Sequence, residues 1–567
     1  MDDEVTSMSG SFLALYSIVV APSAHVRPIL SLVPAIVAGG PASFKAAINF
    51  DDTPLGRVPR PSTSVGSGCR RDGQLSRTLL QPSLRYLPPG NQTGGCDLSS
   101  IWSTARWGRD RSLDSDPPGW RSVFQQDYDR LLFSTPVRRL ADKTQVWPME
   151  ENDGVRTRLT HSHEVANLAR SIGSRIALDK GTSFFGADLH THVQPVLLAI
   201  GLAHDLGNPP FGHQGEAAIG KWFSQRSDWI FTHEMEGHEA QLEKPVPPHL
   251  HREFLKFDGN PQGFRLVTRL QTNVDHAGLH LTAGTLAALL KYPVSASNID
   301  PDHLVNKKFG YFESEREIVD WVRAETGMAE GERHPLTWIM EACDDIAYSI
   351  LDVDDVMKKK IISPDDVLAI LLHDPRSSSS GAVMKTRDRF TKVQASGRDA
   401  DVARDIKIGY LRAYLIEELI QEASKSFVAS SDAILAKTHD TPLMEDVALC
   451  SALKDVAKKH AFANPSVLKM EAIGAAALDG LMTFFWRSIS DRKDFDDIGS
   501  RRNGALAKYG WSIVSSNYIE EAGRSGLGSG DASAMRYREL HLLTDMVSGM
   551  TDSFALKLWK QIKEIPE

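Results

Sequence analysis

Residues 193–205, VQPVLLAIGLAHD, are apolar nearly all round and end on a histidine and an aspartate. A helix without a polar face has to lie inside a protein, so other elements must enclose this one on every side. Gly207, Pro209 and Pro210 stop it directly after the His204-Asp205 pair. The chain must therefore deliver an imidazole and a carboxylate to the edge of its own core. Burying such groups is costly unless they are paired or bound to a metal.

The material for that enclosure is present. The chain has 567 residues, of which 41% are hydrophobic and 24% charged, enough for an ample core and several domains. A net charge of −9 excludes a global basic field that would draw the chain to nucleic acid. Cys69, Cys96, Cys343 and Cys450 show no CxxC spacing, so neither a disulfide framework nor a zinc ribbon is expected, and a reducing cytoplasm is. The apolar runs at 12–20 and 28–38 fall short of the roughly 20 residues that span a bilayer. The Met1-Asp-Asp-Glu4 start is acidic where a secretory signal carries Lys or Arg, so no membrane association is expected.

Residues 40–118 are rich in Pro, Gly, Ser and Arg, and helical periodicity begins at Trp120. The expected organisation is an irregular or poorly ordered extension over 1–118, a core over 119–360, and a helical C-terminal region over 361–567 that packs on the core. Val165, Leu168, Ala169, Ile172 and Ile176 predict a helix over 163–177, capped by Thr160 or Ser162. Ile339, Cys343, Ile346, Ala347 and Ile350 form the stripe of a helix over 335–358, and Ile408, Leu411, Leu415, Leu419, Ala423 and Phe427 that of one over 408–427. No βαβ alternation is visible, so the fold class is all-α. Residues 240–252, 374–400 (with a Ser377–Ser380 run) and 523–533 read as loops, the last two as candidate linkers.

Three separated stretches carry the chemistry: Arg158-Leu-Thr-His161, Gly201-Leu-Ala-His204-Asp205-Leu-Gly207 and Glu341-Ala-Cys-Asp344-Asp345. Two imidazoles with two carboxylates suit a divalent cation that activates water. His204-Asp205 taken alone reads first as a hydrogen-bonded pair holding a turn. Asp344, Tyr348 and Asp352 recur every four residues on an otherwise apolar helix, which makes either a site or a solvated face. His213 and Glu216, three apart at a helix start, form either a general acid/base pair or a capping interaction.

RTRLTHSHEV (156–165), GLAHDLGNPPFGHQGE (201–216) and EACDDIAYSILDVDD (341–355) resemble the HD-domain deoxynucleoside triphosphate triphosphohydrolases, and among them the bacterial dGTPases. The likeness extends to RSVFQQDYDRLLFSTPVRRLADKTQVWPME (121–150), GNPQGFRLVTRLQ (259–271), GLHLTAGTLAALLKYP (278–293) and LTDMVSGMTDSFALKLW (543–559). Together these cover 120–567 with gaps at the loops, and the implied fold is an HD-domain helical fold with additional C-terminal helices.

The resemblance implies that His161, His204, Asp205 and Asp344 hold a divalent metal, with Mn, Mg and Fe left open. It implies hydrolysis of a dNTP, with dGTP first, to deoxynucleoside and inorganic triphosphate. His213 would be the acid, oriented by Glu216. Arg158 would contact phosphate, and Gln145, Tyr348 and Asp352 would line the sugar and triphosphate pocket, with Lys291 and Asn260 also on substrate. A homo-oligomer and a nucleotide or single-stranded DNA effector are implied as well. The pattern departs at Met546 and Ser553, where the family often carries Tyr and Arg. The segment Phe231–His238 lacks a counterpart and reads as an exposed insert, with entry of His233 into the active site as the alternative. The competing functions are another HD-domain nucleotide phosphohydrolase and a non-catalytic nucleotide-sensing subunit. The Gln145, Tyr348 and Asp352 set weighs against the first, and the intact His213–Glu216 pair against the second.

Overall fold

The computed structural model describes residues 98–108, 119–150, 152–237, 239–271, 276–524 and 534–565. The expectations for 1–97, including both apolar runs, Cys69 and Cys96, and for most of the 523–533 loop lie outside those residues. Among the described residues the β contacts are three isolated bridges, Arg106 with Thr282, Thr144 with Thr157 and His233 with Gln241. The fold is all-α, and no described helix is long and apolar enough to cross a membrane.

The helices that frame the site are α1 (Val123–Leu132), α2 (Arg158–Lys180), α3 (Gln194–Ala203), α4 (Gly212–Ser224) and α5 (Gly259–Arg265). They are joined by α6 (Pro335–Lys358), α7 (Ala400–Ala429), α8 (Ala448–Ala457), α9 (Met535–Ser548) and α10 (Asp552–Lys563). The apolar helix of the sequence is α3. Val196, Leu197, Ala199, Ile200 and Leu202 are wholly buried on it, with α1, α2 and α6 packed around them. Each of the Val, Leu and Ile side chains contributes about 1.5–3 kcal/mol when taken fully out of water. Against α2 the approach is close enough to need glycine, since a Cβ on Gly201 would stand 2.5 Å from the Ala166 Cα.

The expected stripe residues of α2, α6 and α7 are all buried. Helix α2 starts earlier than its apolar pattern, because Thr157 and Thr160 form a reciprocal capping box. It ends at Gly181, with φ 97°. Helix α6 has the expected bounds, with His334 Nδ1 accepting the Leu336 N–H as its cap.

Two loop expectations are corrected. Residues 374–400 contain a helix, Gly381–Ala395, for which Ser380 is the N-cap. The end of 240–252 enters a helix, Pro248–Leu255. Both were hidden because Ser and Pro serve helix starts as well as loops. The core also begins before residue 119. Ile101 and Trp102 are buried, the Trp102 indole N–H donates to the Phe185 carbonyl at 3.0 Å, and Arg106 pairs with buried Asp127 of α1 at 2.7 Å.

Gly201→Ala is expected to lower stability by about 1–3 kcal/mol through overpacking at α2. Gly409→Ala, mid-helix in α7 with nothing within 4 Å of an added Cβ, is expected to raise it by about 0.4–1 kcal/mol. Urea denaturation of the two variants beside the wild type measures both.

Candidate active site

Packing brings one end of α2, one end of α3 and the middle of α6 to a common point. His161 sits in the first turn of α2, His204 is the C-cap of α3, and Asp344 projects from α6. The ligand atoms of His161, His204 and Asp344 lie within 4.8 Å of one another. Asp344 Oδ1 is 3.3 Å from His161 Nε2 and 3.6 Å from His204 Nε2. Asp205 Oδ2 is 3.9 and 3.5 Å from the same two nitrogens, and it also receives the Arg158 guanidinium. Asp345 turns away to Lys454, 2.8 Å distant.

These residues fit a divalent cation. His204 Nδ1 lies 2.8 Å from the Gly201 carbonyl, an acceptor, so this nitrogen carries a hydrogen and Nε2 is the one a cation would take, displacing its proton. His204 Nε2 and both His161 nitrogens are buried without a hydrogen-bond partner. An unpartnered buried imidazole nitrogen costs free energy that a metal bond would recover. Burial opposes ionisation of Asp344, but the two imidazoles and Lys291 outweigh it and hold its carboxyl well below the usual range. Burial likewise opposes ionisation of Asp205, and Arg158 and His204 hold it low. Both carboxylates are thus anionic acceptors, as ligation requires. The imidazoles part company. Burial pushes His161 down, whereas at His204 Asp205 and Asp344 overcome burial and raise it to about 9.

Beside this centre stands the His213–Glu216 pair. Residues 209–212 turn sharply into α4, with Phe211 (φ 64°) and Gly212 (φ 57°) both left-handed. His213 Nδ1 and Glu216 Oε2 are 2.7 Å apart, and Glu216 Oε1 accepts the Gly259 N–H of α5 at 2.7 Å. The carboxylate is therefore anchored from two sides while the imidazole, 79% exposed, reaches outward. The bond to Glu216 raises the His213 pKa. Arg158 links the two groups: a Cβ on Gly212 would lie 2.9 Å from its Nη2, and Nη1 is on Asp205.

The other expected contacts are placed unevenly. Arg158 is committed to Asp205 and to the Thr144 carbonyl, with Nη2 to that oxygen at 2.9 Å. Gln145 follows Thr144, its Oε1 enclosed and without a hydrogen-bond partner. Lys291 Nζ is 3.7 Å from Glu341 and 3.9 Å from Asp344. Asn260 donates to its own cap, Asp258, at 2.6 Å. Tyr348 is 37% exposed, but Asp352 is wholly buried, with one oxygen on Arg156 and the other unpartnered. The shared face of Asp344, Tyr348 and Asp352 thus does not hold over its length, because eight residues of α-helix rotate a side chain about 80° from its start. Burial raises the Asp352 pKa to about 7.

Two neighbours escaped the sequence reading. Phe462, from the π turn Lys458–Phe462, stacks on Tyr348 with ring centroids 5.0 Å apart and 12° between planes. Lys308 pairs with Asp258 and senses the charge of Glu216. Neither sits in a periodic pattern, and the adjacent Lys307-Lys308 was the only signal available. His233 stays within its insert: it bridges Gln241, its ring meets the Thr232 hydroxyl at 2.8 Å, and its carbonyl accepts from Arg536 at 2.9 Å. His238 lies outside the described residues.

Comparison with known proteins adds an independent line. Residues 158–254 match the HD domain family. A deoxyguanosinetriphosphate triphosphohydrolase-like protein of Listeria innocua is 30% identical over 449 residues, covering 78% of this chain and 94% of the relative. A protein of the same name from Pseudomonas aeruginosa is 32% identical over 457 residues, covering 78% and 93%.

Asp344→Ala is expected to lose bound metal on dialysis, whereas Asp345→Ala retains it, because only Asp344 faces the imidazoles. Elemental analysis of the two folded variants distinguishes them.

Proposed function

The chain belongs to the deoxyguanosinetriphosphate triphosphohydrolase-like family of HD-domain proteins and is a metal-dependent nucleotide phosphohydrolase, and from this premise we propose that it hydrolyses a dNTP, dGTP first, to deoxynucleoside and inorganic triphosphate. The observation that carries this reading is the pairing of a His161, His204, Asp205 and Asp344 set, built around a buried His161, with an outward His213 imidazole held by Glu216.

When bound by those four residues, a divalent cation supplies Lewis acidity toward the α-phosphate and an activated water. The bond from the α-phosphorus to the nucleoside 5′-oxygen breaks, a water oxygen joins the phosphorus and gives up a proton to solvent, and the 5′-oxygen takes a proton. His213 supplies that proton from Nε2. Its Nδ1–H donates to Glu216, which fixes the tautomer, and the Gly259 N–H fixes Glu216. Lys291 and Lys308 offer positive charge to the polyphosphate, and Arg158 steadies Asp205 beside it. Asn260 adjoins the Gly259 anchor and is proposed as a further substrate contact. Gln145 and Tyr348 frame the sugar, with Asp352 behind the Tyr348 turn. A ring against C2′ rejects a hydroxyl there, which favours deoxynucleotides.

The same reading carries a homo-oligomer, a nucleotide or single-stranded DNA effector and a cytoplasmic setting. It assigns the catalytic core to 119–360 together with 98–107, and the helices of 361–567 to its support.

Incubation with each dNTP and with GTP, under Mn²⁺ or Mg²⁺, is expected to give deoxyguanosine plus intact triphosphate, and His204→Ala to give neither. Nucleoside mono- or diphosphate as product would instead indicate another HD-domain phosphohydrolase, and binding without turnover a sensor. His213→Ala is expected to lower kcat about 10²-fold with metal retained. Because Glu216 raises the His213 pKa, the acid form persists to higher pH than in free imidazole, and the rate falls as pH rises through that pKa. In Glu216→Gln this alkaline limb is expected to move to lower pH, as a pH–rate profile will read.

A further inference from the structure

The turn from α9 into α10 is tied to both loops that frame the site. Asp552, the first residue of α10, is buried, and its Oδ1 accepts the Phe211 N–H at 3.1 Å. Its Oδ2 accepts the Thr144 N–H at 3.0 Å and the Thr144 hydroxyl. Beside it, Lys143 Nζ donates to the carbonyls of Asn208 at 2.5 Å and Ser548 at 2.9 Å. One carboxylate from the far end of the chain thus receives three donors from two loops more than 300 residues away.

What these loops carry makes the tie more than packing. Phe211 is a bulky residue at φ 64°, a strained conformation that persists only where the surroundings impose it. It immediately precedes the turn of α4 that holds His213 and Glu216. The Thr144 carbonyl, on the other loop, accepts from Arg158, which pairs with Asp205. We infer that Asp552 is a positioning residue for the reaction: by holding the Phe211 amide it imposes the left-handed entry to α4 and so sets where the His213 imidazole stands. This rests on the reading of His213 as the proton donor.

The test is a double-mutant cycle in the full chain. Asp552→Asn keeps the size of the side chain but cannot accept from both loops. It is expected to lower kcat about tenfold or more, with KM changed less than about twofold, since small misplacements of a catalytic group are costly. Bound metal is expected to stay at the wild-type level, and Ser553→Ala, one residue on, to keep wild-type kinetics. In the His213→Ala background, Asp552→Asn is expected to cause no further loss of kcat, because the group it positions is gone. Additive losses, or an Asp552→Asn enzyme at wild-type rate, would overturn the inference. A His213→Ala enzyme at wild-type rate would instead sink the functional reading, and the positioning role with it. Should Asp552→Asn not fold, hydrogen exchange on the wild type decides: the Phe211 amide is expected to exchange slowly, and free exchange would overturn the tie.

Discussion

Everything in the site depends on how closely α2 and α3 approach. Gly201 lets the backbone of α3 rest on Ala166 of α2, and a side chain at that point would hold the two helices apart. His161 lies at the start of one helix and His204 at the end of the other, so their separation follows from this contact. Their rings come to 5.4 Å between centroids. Asp344 completes the arrangement because α6 packs against both helices. A scaffold of close apolar contacts is what holds these polar side chains in place.

Charge is handled locally throughout. Asp205 has Arg158, Asp344 has Lys291 and the imidazoles, Asp345 has Lys454, and Asp352 and Asp355 share Arg156. Each is the pairing expected for ionised groups taken out of water. Buried Lys143 and Arg502 depart from this, since each donates to carbonyl oxygens. Burial lowers the Lys143 pKa to about 7 and that of Arg502 to about 10. At Asp545 the C-terminal helix α9 repeats the theme, accepting from Gln262 and Arg265 of α5. The C-terminal residues therefore support the site through hydrogen bonds to the loops and helices that carry it.

Much of this was legible beforehand, for definite reasons. The helices α2, α6 and α7 announced themselves because one face of each is buried and the periodicity is long enough to be unambiguous. Where short polar residues decided, the sequence was ambiguous. Ser380 begins a helix but resembles a loop residue, and Thr157 caps α2 about two turns before its apolar pattern starts. The segment around Trp102 looked irregular because its order comes from an indole hydrogen bond to Phe185 and an ion pair to Asp127, both far along the chain.

By itself, the sequence determined the all-α class, the burial of α3 and the residue types able to ligate a metal and move a proton, since periodicity and side-chain chemistry are local properties. Tertiary structure alone decided how they are shared out. Arg158 is committed to Asp205, Asp352 is closed off while Tyr348 stays open beside Phe462, and Asp552 reaches back to Phe211 and Thr144. Each of these depends on the rotation of a helix or on a contact between residues distant in the chain. Such contacts arise from packing of the whole core, which no local pattern encodes.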